Sequence, residues 1–157
     1  MSKKVMLIIL VLALMVSSTP AKASEQLAEN ERAKGIESLE AKEREKDIEL
    51  MAHLLYAEAG SDWCSDELMY YVGSVALNRV ESDIFPDTLE DVVYQQGQYA
   101  CTWDGGLYKE PNERAYRIAR DLIENGSVLP ANVVFQAEFT QGSGVYIQEQ
   151  NMYFCYQ

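Results

Sequence analysis

One glutamate has a local setting that suits acid–base chemistry, although the sequence contains 25 Asp and Glu residues. Glu58 follows the mostly apolar segment LLY at 54–56 and is flanked by Ala57 and Ala59, with Gly60 next. A carboxyl group in an apolar pocket has a raised pKa and can act as a general acid near neutral pH. Small neighbours leave room for a bulky substrate. Glu58 is therefore a candidate general acid, although the local sequence alone favours the alternative of a solvent-exposed glutamate at a helix end.

The remaining reactive side chains give weaker signals. His53, the single histidine, lies at helical spacing among apolar residues, which favours a structural role over a Cys–His nucleophilic pair. Zinc binding by His53 with Cys64, Cys101 and Cys155 is formally open, but the sequence has no C-x₂-C pair. In an exported protein a disulfide between two of the cysteines is the preferred use, with Cys101 and Cys155 as a guess. We predict no metal site and no cofactor.

Charge and the N-terminus limit the function classes. The chain of 157 residues carries 13 Lys and Arg against 25 Asp and Glu, a net charge of −12, which disfavours nucleic-acid binding. Residues 1–23 read as a secretory signal, with Lys3 and Lys4, an apolar run over 5–16, and AKA at 21–23. The run is shorter than the roughly 20 residues of a membrane helix. We expect export and no stable membrane insertion after cleavage, with an uncleaved anchor as the alternative.

The mature chain divides into a charged segment and one domain. Residues 24–46 are predicted as a charged linker or exposed helix, which offers a contact for an accessory protein, and 47–157 as the catalytic domain. Helices are predicted from Asp47 to about Glu58, after Ser65, from Thr88 to Tyr94 and over 112–124, with a long loop at 95–111. Three strand candidates follow at 133–139, 145–147 and 152–156. Helices followed by a small antiparallel sheet predict an α+β domain.

Five short motifs occur in a fixed order between Met51 and Trp103. They are YAEAG at 56–60, VALNRV at 75–80, FPDTL at 85–89, VVYQ at 92–95 and GQY at 97–99. In order and spacing this set resembles the cell wall hydrolase family that includes the catalytic domains of spore cortex-lytic enzymes. The chain departs from that pattern at 60–62, at 136–138 and at Met152, where family members commonly have Arg-Gly-Glu, a glycine-rich stretch and a histidine.

The resemblance implies a fold, a reaction and a location. The fold would be similar to lysozyme-like lytic transglycosylases, with Glu58 as the catalytic residue. The expected substrate is the glycan strand of peptidoglycan, cut between N-acetylmuramic acid and N-acetylglucosamine, in the cell wall or spore envelope. Glu58 would protonate the glycosidic oxygen and then take the proton of the muramyl 6-hydroxyl, closing a 1,6-anhydro ring. The alternatives are an N-acetylmuramoyl-L-alanine amidase and a non-catalytic wall-binding module.

Substrate contacts are expected along 98–104 and from the second helix. Gln98, Tyr99 and Trp103 suit a sugar-binding wall, because aromatic faces stack on sugar rings and amides bind N-acetyl groups. Packing of Tyr99 and Trp103 onto the core is the alternative. Asn78 is predicted to reach the cleft or, alternatively, to bond backbone. Typical glycoside hydrolysis uses two carboxylates; the sequence offers no convincing partner for Glu58 among three acids, which favours the transglycosylase route. These three are Asp62, Asp104 and Glu138.

Overall fold

The computed structural model describes the backbone of residues 20–157 and the side chains of residues 24–157. The predicted secretory signal at 1–23 falls outside the described side chains. Within residues 20–157 no helix combines the length and the apolar composition that a membrane span requires. The described part of the chain divides into two units, residues 20–39 and residues 40–157.

The first helix is much longer than the sequence pattern predicts. Helix α1 runs over Pro20–Ala59, and Gly35 does not interrupt it. The side chains of 24–46 are exposed, including Leu27 and Leu39. A periodic apolar pattern appears only where a helix packs against the core. The sequence pattern therefore predicts α1 only from Asp47 onward, where its side chains become buried.

The C-terminal end of α1 is fixed by Gly60, as predicted. The Gly60 N–H donates to the Tyr56 carbonyl at 3.1 Å, and a Cβ at Gly60 would overlap that same oxygen. Helix α1 therefore ends at Ala59. This places Glu58 in the last helical turn, one residue before the chain turns away.

Side-chain caps start the next helices where the sequence indicates. Helix α2 spans Asp66–Val80, and the Ser65 hydroxyl accepts the Leu68 N–H at 3.0 Å. Helix α3 spans Leu89–Tyr94, and the Thr88 hydroxyl accepts the Asp91 N–H at 3.1 Å. Because each of these bonds satisfies an N–H that has no partner inside the helix, it sets the helix start locally.

The segment 95–111 is not the long loop that the glycines suggest. It contains helix α4, Cys101–Asp104, and a 3₁₀ turn, Gly106–Tyr108. Gly105 ends α4 with φ +89°, and the Asp104 carboxylate accepts the Gly106 N–H at 2.7 Å. Glycine and aspartate therefore join two short helical pieces here. Helix α5, Glu113–Asn125, follows close to its predicted position.

The last part of the chain is a three-stranded antiparallel sheet, which confirms the predicted α+β class. Strands β1 (Val133–Ala137), β2 (Gly144–Glu149) and β3 (Met152–Tyr156) lie in the order β1-β3-β2. The central strand β3 buries Phe154 and Cys155 completely. Helix α2 connects the sheet to the helical core, because the Asn78 side chain donates to the carbonyls of Pro130 and Val133.

The predicted disulfide is wrong. All three cysteines are buried free thiols. The three cysteines lie in different elements. Cys155 lies in the central strand β3, where its sulfur accepts a hydrogen bond from the Gln141 N–H, and Cys101 is the first residue of α4. Cys64 lies in the loop before α2, and its carbonyl accepts a hydrogen bond from Arg114. The three thiols therefore belong to three separate parts of the domain.

Gly73 lets α2 pack closely against its neighbours. A Cβ at Gly73 would overlap Leu122 of α5 and press on Leu55 of α1. We expect Gly73→Ala to lower the free energy of unfolding by about 1–3 kcal/mol, the usual penalty of overpacking. Gly35→Ala is the matched control, because Gly35 has nothing within 4 Å. Urea denaturation measures both, and a Gly73→Ala protein as stable as the parent would contradict the packing described.

Candidate active site

Glu58 lies where α1 ends against the start of α4. Its side chain is partly buried. The Cys101 thiol donates a hydrogen bond to its carboxylate, and the charges of Arg79 and Asp104 act on it from α2 and α4. Groups from three elements, spread over more than forty residues of sequence between Glu58 and Asp104, therefore act on this carboxyl group.

The surroundings raise the pKa of Glu58 above its ordinary value of 4.5. Burial is the main cause, because a desolvated carboxylate is disfavoured. The negative charge of Asp104 raises the pKa further. The Cys101 hydrogen bond and the Arg79 charge oppose these effects by stabilising the carboxylate. Glu58 is thus biased towards the protonated form and retains two groups that support the ionised form.

Cys101 is coupled to Glu58 and is not available as a nucleophile. Burial, together with the Glu58 charge, raises the pKa of the Cys101 thiol to about 12. The thiol therefore keeps its proton at neutral pH and acts as a hydrogen-bond donor. The sequence motif around 97–103 does not reveal this contact, since Cys101 and Glu58 come together only through the fold.

Arg79 is a site residue that the sequence analysis leaves out. It is 3% exposed, and its Nε donates to the Val134 carbonyl at 2.8 Å. Its guanidinium lies over the rings of Phe85 and Tyr99, 5.1 and 5.2 Å from their centroids. These contacts hold a permanent positive charge close enough to act on Glu58. An arginine inside the apolar face of α2 is the sequence signal that marks it.

The predicted sugar-binding residues separate into two groups. Gln98 and Trp103 are exposed, Trp103 with 63% of its surface accessible, so both can meet a large substrate. Tyr99 is 1% exposed, and it packs beneath Arg79 in the core. Tyr99 therefore packs in the core, as the alternative interpretation had it, and its ring is not exposed for contact with a sugar. Trp63, exposed in the loop after α1, is a further aromatic side chain, outside the residues predicted from the sequence.

Asn78 binds backbone carbonyls in the core and does not reach a surface where it could contact substrate. It is 4% exposed, and its amide nitrogen donates to Pro130 at 2.8 Å and to Val133 at 2.9 Å. Both amide hydrogens are thereby used on the backbone that leads into β1. We correct its predicted substrate-binding role to one of fixing the sheet against α2.

Of the three acids considered as a second carboxylate, only Asp104 acts on Glu58. Asp104 is exposed, and its charge contributes to the raised pKa of Glu58. Asp62 is exposed in the loop beyond Gly60, and Glu138 accepts a hydrogen bond from Asn151 beside the sheet. Helix α4, which the sequence analysis reads as loop, is what brings Asp104 close.

Within residues 20–157, no three His, Cys, Asp or Glu side chains cluster in a way that would hold a metal ion. His53 lies partly buried on α1.

A comparison with protein-family models identifies the family. The Cell Wall Hydrolase model matches residues 65–154. The chain belongs to the Cell Wall Hydrolase family. The matched range begins beyond Glu58, so the role of this glutamate depends on its geometry and on the motif at 56–60.

Relatives and solved structures agree with this family. A spore cortex-lytic enzyme of Bacillus subtilis is 31% identical over 107 residues, which are 68% of this chain and 32% of that protein. One from Oceanobacillus iheyensis is 34% identical over 79 residues, 50% of this chain and 28% of that protein. The chain thus spans about a third or less of the length of these relatives. The cell wall hydrolase CwlJ of Oceanobacillus iheyensis is 34% identical over 96 residues, which are 58% of this chain and 67% of that protein.

The fold likeness extends over most of the described chain. The catalytic domain of the Bacillus cereus SleB protein superposes with a TM-score of 0.59 at 26% identity, covering 71% of this chain and 90% of that domain. The catalytic domain of a germination-specific lytic transglycosylase, SleB from Bacillus anthracis, gives 0.57 at 25% identity, covering 69% and 93%. The predicted lysozyme-like α+β fold is confirmed.

The raised pKa of Glu58 predicts a pH-dependent effect on stability. At pH values above 4.5 the Glu58 carboxyl ionises freely in the unfolded chain. In the folded chain the same carboxyl is desolvated, so its ionisation costs free energy. We therefore expect Glu58→Gln to raise the free energy of unfolding at about pH 7, and the gain to vanish below about pH 4. Chemical denaturation at both pH values measures this, with Glu81→Gln, an exposed glutamate, as control. An equal gain at both pH values, or a loss at pH 7, would contradict the account.

Proposed function

We propose that this protein is an exported peptidoglycan-cleaving enzyme, a lytic transglycosylase that uses Glu58 as general acid and general base. The observation that carries the proposal is a partly buried carboxyl group with a raised pKa, positioned by three elements in a Cell Wall Hydrolase domain. The names of its relatives, spore cortex-lytic enzymes and a germination-specific lytic transglycosylase, support this substrate and reaction.

The surroundings of Glu58 suit both halves of such a reaction. Burial raises the pKa of the carboxyl and so favours its protonated form, which donates its proton to the glycosidic oxygen as the bond to N-acetylmuramic acid breaks. The carboxylate left behind is stabilised by the Cys101 hydrogen bond and the Arg79 charge. It then accepts the proton of the muramyl 6-hydroxyl as that oxygen attacks the anomeric carbon. The 1,6-anhydro ring closes, and Glu58 is again protonated.

Hydrolysis with two carboxylates is the second candidate, because Asp104 is exposed and acts on Glu58. In that reaction Asp104 would activate a water or attack the sugar directly. The product would be a reducing muramyl end instead of an anhydro end. The two candidates differ in what they require of Asp104: a nearby charge in the first, a reacting group in the second.

Export is proposed from the signal-like residues 1–23. The expected site of action is then the cell wall or the spore envelope, where glycan strands are the partner. Glycan binding would use the exposed Gln98 and Trp103. Residues 24–46, exposed and helical, are proposed as a contact for an accessory protein.

Glu58→Gln tests the proposed acid directly. We expect it to lower the rate of soluble-fragment release from purified peptidoglycan by on the order of 10³, within the usual range for general acid–base catalysis. Mass spectrometry of the parent's products should show 1,6-anhydromuramyl ends. Glu81→Gln, which changes an exposed glutamate, should leave the rate unchanged. Digestion by Glu58→Gln at the parent's rate would refute the role of Glu58.

Asp104→Asn separates the two candidate reactions. If Asp104 acts only through its charge, its loss lowers the pKa of Glu58, so the alkaline limb of the profile of kcat/KM against pH moves to lower pH while the maximum rate is kept. If Asp104 reacts, kcat falls by about a hundredfold or more at every pH. The second result, together with reducing muramyl ends, would replace the transglycosylase by a hydrolase.

A further inference from the structure

A cavity of about 700 Å³ lies beside α1, in the unit formed by residues 40–157. Its walls come from α1 between Glu43 and His53, from α3 and its cap, and from the 3₁₀ turn. Glu58 is not among the lining residues. The volume falls within the several hundred Å³ typical of small-ligand pockets. The cavity is thus a concave site separate from the carboxyl group proposed to react.

The lining combines negative charge with apolar and aromatic surface. Five of its twelve residues are acidic, against one lysine. Leu50 and Leu107 supply apolar wall, and the tyrosines at 94 and 108 are 48% and 75% exposed. Rings and carboxylates together bind ammonium groups, because both attract a positive charge while the rings also cover its methylene stem.

The carboxylates of this cavity act on one another. Burial and the charges of Glu43 and Glu90 raise the pKa of Asp47, so acids from α1 and α3 meet at one place. None of the three takes part in an ion pair between described residues. With five acids against one lysine, the wall of the cavity therefore carries a net negative charge.

The position of the cavity relates it to the reaction. Cys101 bonds Glu58 at the start of the segment 101–108, and Tyr108 lines the cavity at its end. Along α1, His53 and Glu58 are separated by about 8 Å of helix rise. A peptide of three residues spans roughly 10 Å when extended. A peptide stem attached to the muramic acid bound at Glu58 is long enough to reach this cavity with its third residue.

We propose that this cavity binds the free amino group of a lysine-type residue in the peptide stem, so that the enzyme recognises a peptide beside the glycosidic bond. This inference rests on the proposed function, since it takes the stem-bearing glycan strand as substrate. The ammonium group lies between Asp47 and Glu90, with Tyr94 and Tyr108 against its methylene chain. The contact makes the peptide stem, and not the sugar alone, a determinant of which strands are cut.

Binding is measured without turnover, on the full chain carrying Glu58→Gln. The probe is the tripeptide L-Ala-γ-D-Glu-L-Lys, followed by the amide chemical shifts of the ¹⁵N-labelled protein. We expect shifts at Leu50, His53, Tyr94 and Tyr108, and an affinity at least about tenfold weaker for the Nε-acetylated tripeptide, the loss expected from one charge-assisted contact. Equal affinity for the two peptides, or shifts elsewhere, would overturn the proposal.

Variants of the cavity provide the matched test. In the same background, Asp47→Asn with Glu90→Gln should abolish the preference for the free amine, and Tyr108→Ala should weaken binding of both peptides. Asp83→Asn removes an exposed acid outside the cavity and should bind like the parent. Unchanged binding in the double variant would overturn the proposal, as would oligolysine binding to the cavity when the stem peptide does not.

Turnover separates this inference from the proposed function. With Glu58 intact, peptidoglycan bearing lysine stems should be cut with a kcat/KM about tenfold higher than the same material after N-acetylation of its free amines. Glycan strands stripped of peptide should be cut equally by the parent and by the double variant. Equal kcat/KM on native and acetylated walls contradicts the cavity proposal alone. If no wall preparation releases fragments, the proposed function is contradicted. The cavity proposal would then be tested by the peptide-binding experiment alone.

Discussion

The desolvation of one carboxyl group at the end of α1 is the constraint on which the site depends. Burial raises the pKa of Glu58, yet a carboxyl that must also ionise during a reaction needs support for its charged form. Cys101 and Arg79 give that support from two other elements. The opposing effects suit the proposed roles of Glu58 as acid and base, and each effect requires a particular piece of the fold.

The rest of the domain maintains these opposing effects. Arg79 acts on Glu58 only because the Val134 carbonyl and the rings of Phe85 and Tyr99 hold it in the core. Asn78, next to it, joins α2 to the backbone before β1. The sheet therefore serves the site indirectly, by fixing the end of α2. Helix α4 supplies both Cys101 and Asp104. A short element without regular apolar spacing therefore carries two of the three neighbours that set the pKa of Glu58.

Local signals in the sequence were sufficient for the helix starts and strands, and they failed for contacts between distant segments. Ser65 and Thr88 cap their helices through bonds to residues three positions away, which a sequence displays directly. Whether Tyr99 is buried or exposed depends on α2, twenty residues earlier, so its predicted role in a sugar-binding wall was wrong. The pairing of Cys101 with Glu58 was invisible for the same reason. The helix end beside Glu58 was predictable because Gly60 marks it locally, whereas the catalytic role of Glu58 comes from the resemblance at 56–60 and stays a prediction.

The most direct test of the central claim is the titration of the Glu58 carboxyl carbon by ¹³C NMR, assigned by comparison with Glu58→Gln. The account predicts a pKa above 4.5 in the folded protein, lowered by Asp104→Asn and raised by Cys101→Ala. These shifts have opposite signs because one neighbour disfavours the carboxylate and the other stabilises it. A pKa at or below 4.5, or one indifferent to both substitutions, would contradict the claim that burial and three neighbours set the protonation of Glu58.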